Sequence, residues 1–201
     1  MTIKSDYSPY TDYSRQQLLE IIASQMKKSR FEHCLRVEQK ALELAKQEGV
    51  EPEKAALVGL IHDYAKERPL KELQEAVISY HLDPVYQEES SAILHGPVGA
   101  ELIRQELGIH DEEILDAIRQ HTIGGFEMTP LAKVLFIADF IEDGRSFDGV
   151  QQTRQLAKED IDLAVVDKLK QTLSFLIEEE VVIFPLMVDI YNHWVTKKIN
   201  N

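Results

Sequence analysis

In the stretch LVGLIHDYAKE, His62 and Asp63 interrupt an apolar run, and Lys66 follows three residues later. The chain has seven histidines. His81, His110 and His193 fall at loops or near the C-terminus, which leaves His33, His62, His95 and His121 in structured contexts. Asp139, inside LFIADFI, is the sharpest polarity signal. A carboxylate among apolar neighbours needs a cation, a metal or several hydrogen-bond donors. Each residue has an ordinary reading of its own. His33 suits half-buried packing near a helix start, His121 a helix C-terminal dipole partner and His95 a polar turn beside Gly96 and Pro97. Asp139 could pair with Lys133, Arg145 or Arg154, and the His62–Asp63 pair could cap a helix. Together, imidazoles and carboxylates form a mixed nitrogen–oxygen set suited to iron, manganese, zinc or a similar divalent ion. Six candidate ligands exceed what one tetrahedral site takes, so the count favours two ions with Asp63 as the bridge.

Such residues need helices to bring them together, and nearly every segment reads with helical period. After an irregular, flexible tail over residues 1–13, Ser14 and Gln17 form a capping-box pattern that opens a helix through about Lys27. A second helix fits Phe31 to Glu48 and can stop at Gly49. Pro52 suits the first turn of a third, which runs into the His62–Asp63 pair. ERPLKELQEAVISYH restarts after Pro69, HGPVGAELIRQELG closes at Gly108, and DEEILDAIRQH places acids in its first turn and ends at His121. Pro130 opens LAKVLFIADFIED, the most apolar interior segment. A short helix around Gln152 to Ala157, a long one from about Asp160 to Glu180 and a last segment near Pro185 to Lys197 complete the chain. The run EVVIF could be strand or helix. The expectation is an all-α multi-helix fold, with residues 14–201 as one domain carrying a C-terminal helical extension. Leu163, Val166, Leu169, Leu173, Leu176 and Ile177 of that extension could complete the core or supply a homodimer face.

Composition narrows the function classes. With 35 acidic against 22 basic residues, the net charge of −13 argues against a broad nucleic-acid-binding face. It leaves room for an anionic substrate, because local cations or metal ions reverse the field inside a cleft. The single cysteine, Cys34, rules out an intramolecular disulfide and agrees with a reducing compartment. MTIKSDYSPYTDYSRQQ lacks the apolar core of a signal peptide, and no apolar run approaches membrane-spanning length, so a cytoplasmic protein with no membrane partner is expected.

The ordered set His33, His62–Asp63, His95, His121 and Asp139 resembles the ligand series of the HD-domain metal-dependent phosphohydrolases. FEHCLRVE, LIHDYAKE, ILHGPVGAELI, AIRQHTIG and KVLFIADFIEDGRSF look like the corresponding blocks of the YqeK family, bacterial symmetrical diadenosine tetraphosphate hydrolases. These blocks span roughly residues 30 to 155. One departure is visible: where the family commonly shows Glu-Pro-(Gly or Ser)-Arg, this chain has Glu142-Asp143-Gly144-Arg145, which keeps the arginine and alters the turn before it.

The resemblance implies an HD-domain fold with a central metal cleft. His33, His62, Asp63 and Asp139 would hold one ion, and Asp63 would bridge to a second completed by His95 and His121. Iron is the family-based expectation, with manganese or another transition metal as the alternative. The implied substrate is a small-molecule nucleotide, diadenosine tetraphosphate or a related dinucleoside polyphosphate, cut to two ADP by activated water. Lys66, one turn beyond Asp63, and Arg145 are the expected phosphate contacts, both assigned to the catalytic set together with Asp63. Arg36 and Arg119 are weaker candidates for the same charge. Thr122 and Gly124, in the loop TIGGFE, are candidate substrate contacts, although the loop's glycines could equally make a tight connection. Phe126, Phe147 and Tyr64 could stack on adenine or pack the core. Competing readings are another HD phosphohydrolase acting on nucleoside phosphates or (p)ppGpp, a non-catalytic nucleotide- or metal-binding regulator, and a purely structural metal protein.

Overall fold

The computed structural model describes residues 7–199. Among the described residues there are helices and connecting loops but no strand. α1 (Arg15–Gln25) begins at the expected capping box, in which Ser14 and Gln17 each bond the other's backbone. α2 (Lys28–Glu48) starts a turn before Phe31, which places Arg30 and His33 on one face of its first turns. It stops at Gly49, whose left-handed backbone (φ 66°) lets its N–H return to the Ala45 carbonyl.

α3 (Pro52–Ile61) is buried continuously from Ala55 to Ile61. α8 (Pro130–Ile141) is nearly as apolar, with Leu131, Ala132, Val134 to Ala138 and Ile141 buried. A helix apolar on every side belongs at the centre of a fold. Accordingly α2, α3 and α8 pack on one another as the middle of the molecule. A side chain at Gly59 would sit 2.8 Å from the Glu38 Cα, so glycine lets the α2 and α3 backbones meet. That approach brings the face of α2 carrying His33 against the end of α3, where His62 is the C-terminal cap.

Around this centre lie α4 (Leu70–Ser79), a 3₁₀ turn (Pro84–Tyr86), α5 (Ser91–Leu94), α6 (Pro97–Glu106) and α7 (Glu112–Gln120). α7 packs on both α6 and α8. α9 (Val150–Glu159), α10 (Ile161–Glu178) and α11 (Pro185–Ile199) close the other side, with α10 in contact with α8, α9 and α11. No helix of the described residues is long and apolar enough to cross a membrane.

Two sequence expectations need correction. Of the tail expected over 1–13, residues 1–6 lie outside the described residues, but Tyr7 and Thr11 are packed into the fold while Ser8, Pro9 and Asp12 are exposed. Tyr7 is buried and its hydroxyl donates to Glu38 Oε1 at 2.7 Å, while the Thr11 hydroxyl donates to the Leu107 carbonyl at 2.8 Å. A buried phenol with a carboxylate acceptor anchors irregular chain that carries no helical period. The run EVVIF is neither strand nor helix beyond Glu180, and Val182 is 92% exposed. In the extension, Leu169 is fully buried against the core whereas Ile177 is exposed.

Candidate metal centre

Four elements end or begin at one point. His33 comes from α2, His62 and Asp63 from the end of α3, His121 from the end of α7 and Asp139 from the last turn of α8. His95 arrives from the turn between α5 and α6. Adjacent residues within a helix diverge by about 100°. Because α3 stops at Ile61, His62 and Asp63 both turn inward.

All four histidines and Asp63 are buried. Asp63 divides its oxygens: Oδ2 lies 3.4 Å from His62 Nε2 and 3.8 Å from His33 Nε2, and Oδ1 lies 3.3 Å from His95 Nε2 and 3.7 Å from His121 Nε2. Asp139 Oδ1 lies 3.1 Å from His33 Nε2 and 3.8 Å from His62 Nε2. Ligand atoms at about 2.1 Å from a common ion stand roughly 3–3.5 Å apart, so these spacings suit ligation.

The histidine tautomers point the same way. His62 Nδ1 meets the Gly59 carbonyl at 2.8 Å, His95 Nδ1 the Ser91 carbonyl at 2.8 Å and His121 Nδ1 the Ile118 carbonyl at 2.7 Å. Carbonyls only accept, so each Nδ1 carries a proton and Nε2 is the ring nitrogen turned to the cluster. His33 Nδ1 is held instead by Glu142 Oε1 at 3.1 Å. The Nε2 atoms of His33 and His62 are buried without a hydrogen-bond partner. Those of His95 and His121 face each other at 3.1 Å, two lone pairs in near contact. A cation relieves all four, and partners that lock the far ring nitrogen are the usual support of metal-binding histidines. His33, His62 and Asp139 form one group able to hold an ion, and His62, Asp63 and His121 another, with His95 beside the second.

Charges follow the same division. Burial alone would raise the Asp63 pKa, but the charge of His62 and the close ring nitrogens of His121, His62 and His95 hold it well below the carboxylate range. Burial is likewise outweighed at Asp139 by Lys168, His33, His62 and Arg145. His62 is raised although burial opposes its charge, because Asp63 and Asp139 favour the imidazolium. His95 is lowered by burial, and His121 is pushed down to about 4 by burial and by its neighbours His95 and His62.

Of the expected substrate contacts, Lys66 Nζ lies 3.5 Å from His95 Nε2, and burial lowers its pKa. Arg145 donates from Nη2 to Asp139 Oδ1 at 3.0 Å and remains about one third exposed. Thr122 is half-buried with a hydroxyl that has no partner. Gly124 is buried against the C-terminal helices. Its left-handed backbone (φ 82°) presents the side-chain position to Ile190, Leu169 and Phe136 at 3.5 to 3.6 Å, so its freedom serves packing against the C-terminal helices. Tyr64 is buried and donates to Glu106, which makes it a packing residue. Phe126 and Phe147 stay partly exposed, one edge-on to His193 and the other tilted against Phe140. Arg119 turns away to Glu101, Asp116 and Glu112.

Arg30, Glu142 and Lys168 have no site role in the sequence reading, and Arg154 stands there only as a possible partner of Asp139. Arg30 Nη1 donates to Asp63 Oδ2 at 2.9 Å, and its place one turn before His33 was a usable signal. Glu142, one turn after Asp139, is clamped behind His33 by Arg36 Nε at 2.6 Å and by the Gly144 N–H. A Cβ added at Gly144 would come within 2.5 Å of Arg36 Nε, so a larger residue there would require that guanidinium to shift. Arg154 donates to the carbonyls of Ile141, Glu142 and Arg145 and fastens the same turn. Lys168, far away in sequence, lies 3.6 Å from Asp139 Oδ2.

Comparison with known proteins agrees with this geometry. The HD domain family model matches residues 30–171. Over 179 residues the chain is 37% identical to the symmetrical bis(5'-nucleosyl)-tetraphosphatase of Bacillus subtilis, covering 89% of this chain and 96% of that protein. It is 36% identical to the protein of the same name from Staphylococcus aureus, with 82% and 86% covered. The crystal structure of a predicted HD superfamily hydrolase involved in NAD metabolism from Clostridium acetobutylicum matches with a TM-score of 0.87 at 31% identity, covering 92% of this chain and 98% of that one.

Proposed function

This chain belongs to the HD-domain family, and from that premise we propose that it hydrolyses diadenosine tetraphosphate symmetrically at a centre of two divalent ions. Water adds to one inner phosphorus, the central P–O–P bond breaks, and both halves leave as ADP. The observation that carries the two-ion reading is the Asp63 carboxylate, whose Oδ2 faces His33 and His62 while Oδ1 faces His95 and His121.

When bound, the ions supply Lewis acidity toward phosphate oxygens and lower the pKa of a coordinated water. The chain's own residues do the rest. Asp63 and Asp139, ionised far below neutral pH, hold the positive charge, and the four imidazoles present lone pairs to it. A chain of net charge −13 repels a polyphosphate, and Lys66, Arg145 and Arg30 reverse the field locally at the mouth of the cluster. Arg145 presents a forked donor suited to two phosphate oxygens. Thr122 is the remaining loop contact in this reading, and Gly124 is not carried forward. Iron is the ion the family resemblance leads us to expect, with manganese or another transition metal as the alternative.

We extend the reading to a cytoplasmic homodimer that uses no nucleic acid, for which light scattering of the purified chain is the check on assembly. The reaction is tested with purified protein loaded separately with iron, manganese and zinc and given diadenosine tetraphosphate. Two ADP per substrate is the expected product, and AMP with ATP would sink symmetrical cleavage.

A further inference from the structure

Lys168 is an ammonium in an apolar wall. It rises from α10, its side chain is only 6% exposed, and its Nζ lies 3.6 Å from the centroid of the Phe136 ring and 5.5 Å from that of Phe140. Its hydrogen bond, at 2.7 Å, goes to the Phe136 carbonyl. That carbonyl lies inside α8, where the helix itself provides a donor, so it does not require the lysine. A buried cation is costly without an anion, and among the described contacts the carboxylate within ion-pair reach is Asp139. Asp167, next in the chain, is already held by Gln152, Thr153 and Gln171.

The two oxygens of Asp139 are thereby separated. Oδ1 faces His33, His62 and Arg145, whereas Oδ2 faces Lys168. Resting on the two-ion reading, we propose that Lys168 is a positioning residue. It occupies the outer oxygen of Asp139, so that Asp139 offers one oxygen, at a fixed angle, to the ion shared with His33 and His62. α10 thus becomes a structural part of the metal centre as well as a cover for the core. An apolar chain of the same length would pack equally well between the rings of Phe136 and Phe140, so packing alone does not account for the charge.

The test uses the full chain stripped of metal and titrated with Mn²⁺ by calorimetry, with thermal unfolding of the metal-free protein alongside. Lys168→Met is expected to weaken binding at the His33–His62–Asp139 position by about 10- to 100-fold, the usual cost of losing a partner of a ligating group. The other position should change by no more than about twofold, because the effect is local. The unfolding temperature should hold or rise, since replacing a buried charge by a similar apolar volume is often neutral or stabilising. Lys168→Arg, which keeps the charge, should recover part of the affinity. Wild-type or tighter Mn²⁺ binding in Lys168→Met overturns the proposal, as does a lower unfolding temperature with unchanged affinity, which marks a mere brace between α10 and α8. Should Lys168→Met not fold, Lys168→Gln carries the same test, because it keeps a donor for the Phe136 carbonyl but no charge for Asp139. Asp139→Ala separates the two levels: if it also binds Mn²⁺ like the wild type, the metal assignment falls and the role of Lys168 falls with it.

Discussion

The two halves of the cluster share Asp63, with His62 within reach of both, and differ in most other respects. Around His33 and His62 stand two carboxylates, with Glu142 and Arg36 behind His33 and Lys168 behind Asp139. Around His95 and His121 stands only the other oxygen of Asp63, and both rings lean on carbonyls one turn back in their own elements. The first half carries negative charge held by partners from other helices, and the second is made of neutral rings held locally. Cation affinity rises with the anionic charge of the ligands and with the partners that orient them. The first half should therefore bind its ion tightly and the second weakly, which would leave the second open to exchange with substrate oxygens.

The largest effect should come from the residue both halves share. Asp63→Asn keeps the shape but removes the charge from both sides at once. Turnover should fall by more than about a thousandfold, roughly 4 kcal/mol in barrier. Metal analysis after dialysis should find both ions depleted, and a variant that retains two ions would remove Asp63 from the bridge.

Glu142→Gln should separate the halves. It leaves a group of the same size at His33 but takes the charge from the clamp that Arg36 and the Gly144 N–H close. Affinity for the first ion should fall by about 10- to 100-fold while the second stays as it was. Equal losses in both would mean that the two positions are not independent.

How much of this was visible in the chain alone depended on polarity contrast. Asp139 stands out within LFIADFI, and His62–Asp63 within LVGLIHDYAKE, because an apolar helix makes any polar member conspicuous. Helix starts at Ser14, Pro52 and Pro130 were legible from local rules, since capping and proline chemistry act within one turn. Glu142 was hidden because a glutamate in EDGR reads as solvated surface until α2 is packed against it. Lys168 was hidden because DKLK looks like an ordinary charged stripe on a helix, and only the packing of α10 on α8 buries it. The role of Gly124 stayed open because a glycine loop has no direction in sequence, while in the fold its side-chain position faces Leu169 and Ile190.

Protons should sharpen the contrast further. Burial opposes charge on His62, yet Asp63 and Asp139 raise its pKa above 6.5, so at pH 6.5 the metal-free ring is more than half protonated. His121, at about 4, is almost wholly neutral there. An ion binds only the deprotonated ring, so the first ion should release at least about half a proton from His62 at pH 6.5. The second should release almost none from His121. Acidification therefore weakens the first ion as the pH falls through the raised pKa of His62, whereas His121 resists until about pH 4. Calorimetry in buffers of different ionisation heats measures this, and equal release in both steps would show the halves to be electrostatically alike.

The smallest effect belongs to an arginine that lies close to the second half in sequence without supporting it. Arg36 reaches inward to Glu142, but Arg119, two residues before His121, points outward to Glu101, Asp116 and Glu112 with about a quarter of its side chain exposed. Ion pairs of this exposure contribute about 0.2–1 kcal/mol. Arg119→Gln should accordingly lower the unfolding temperature by no more than about 2–4 °C and leave both metal affinities and the KM for diadenosine tetraphosphate unchanged. A rise in KM would place Arg119 at the substrate after all. It would also give the second half a charged partner beyond Lys66 and narrow its difference from the first.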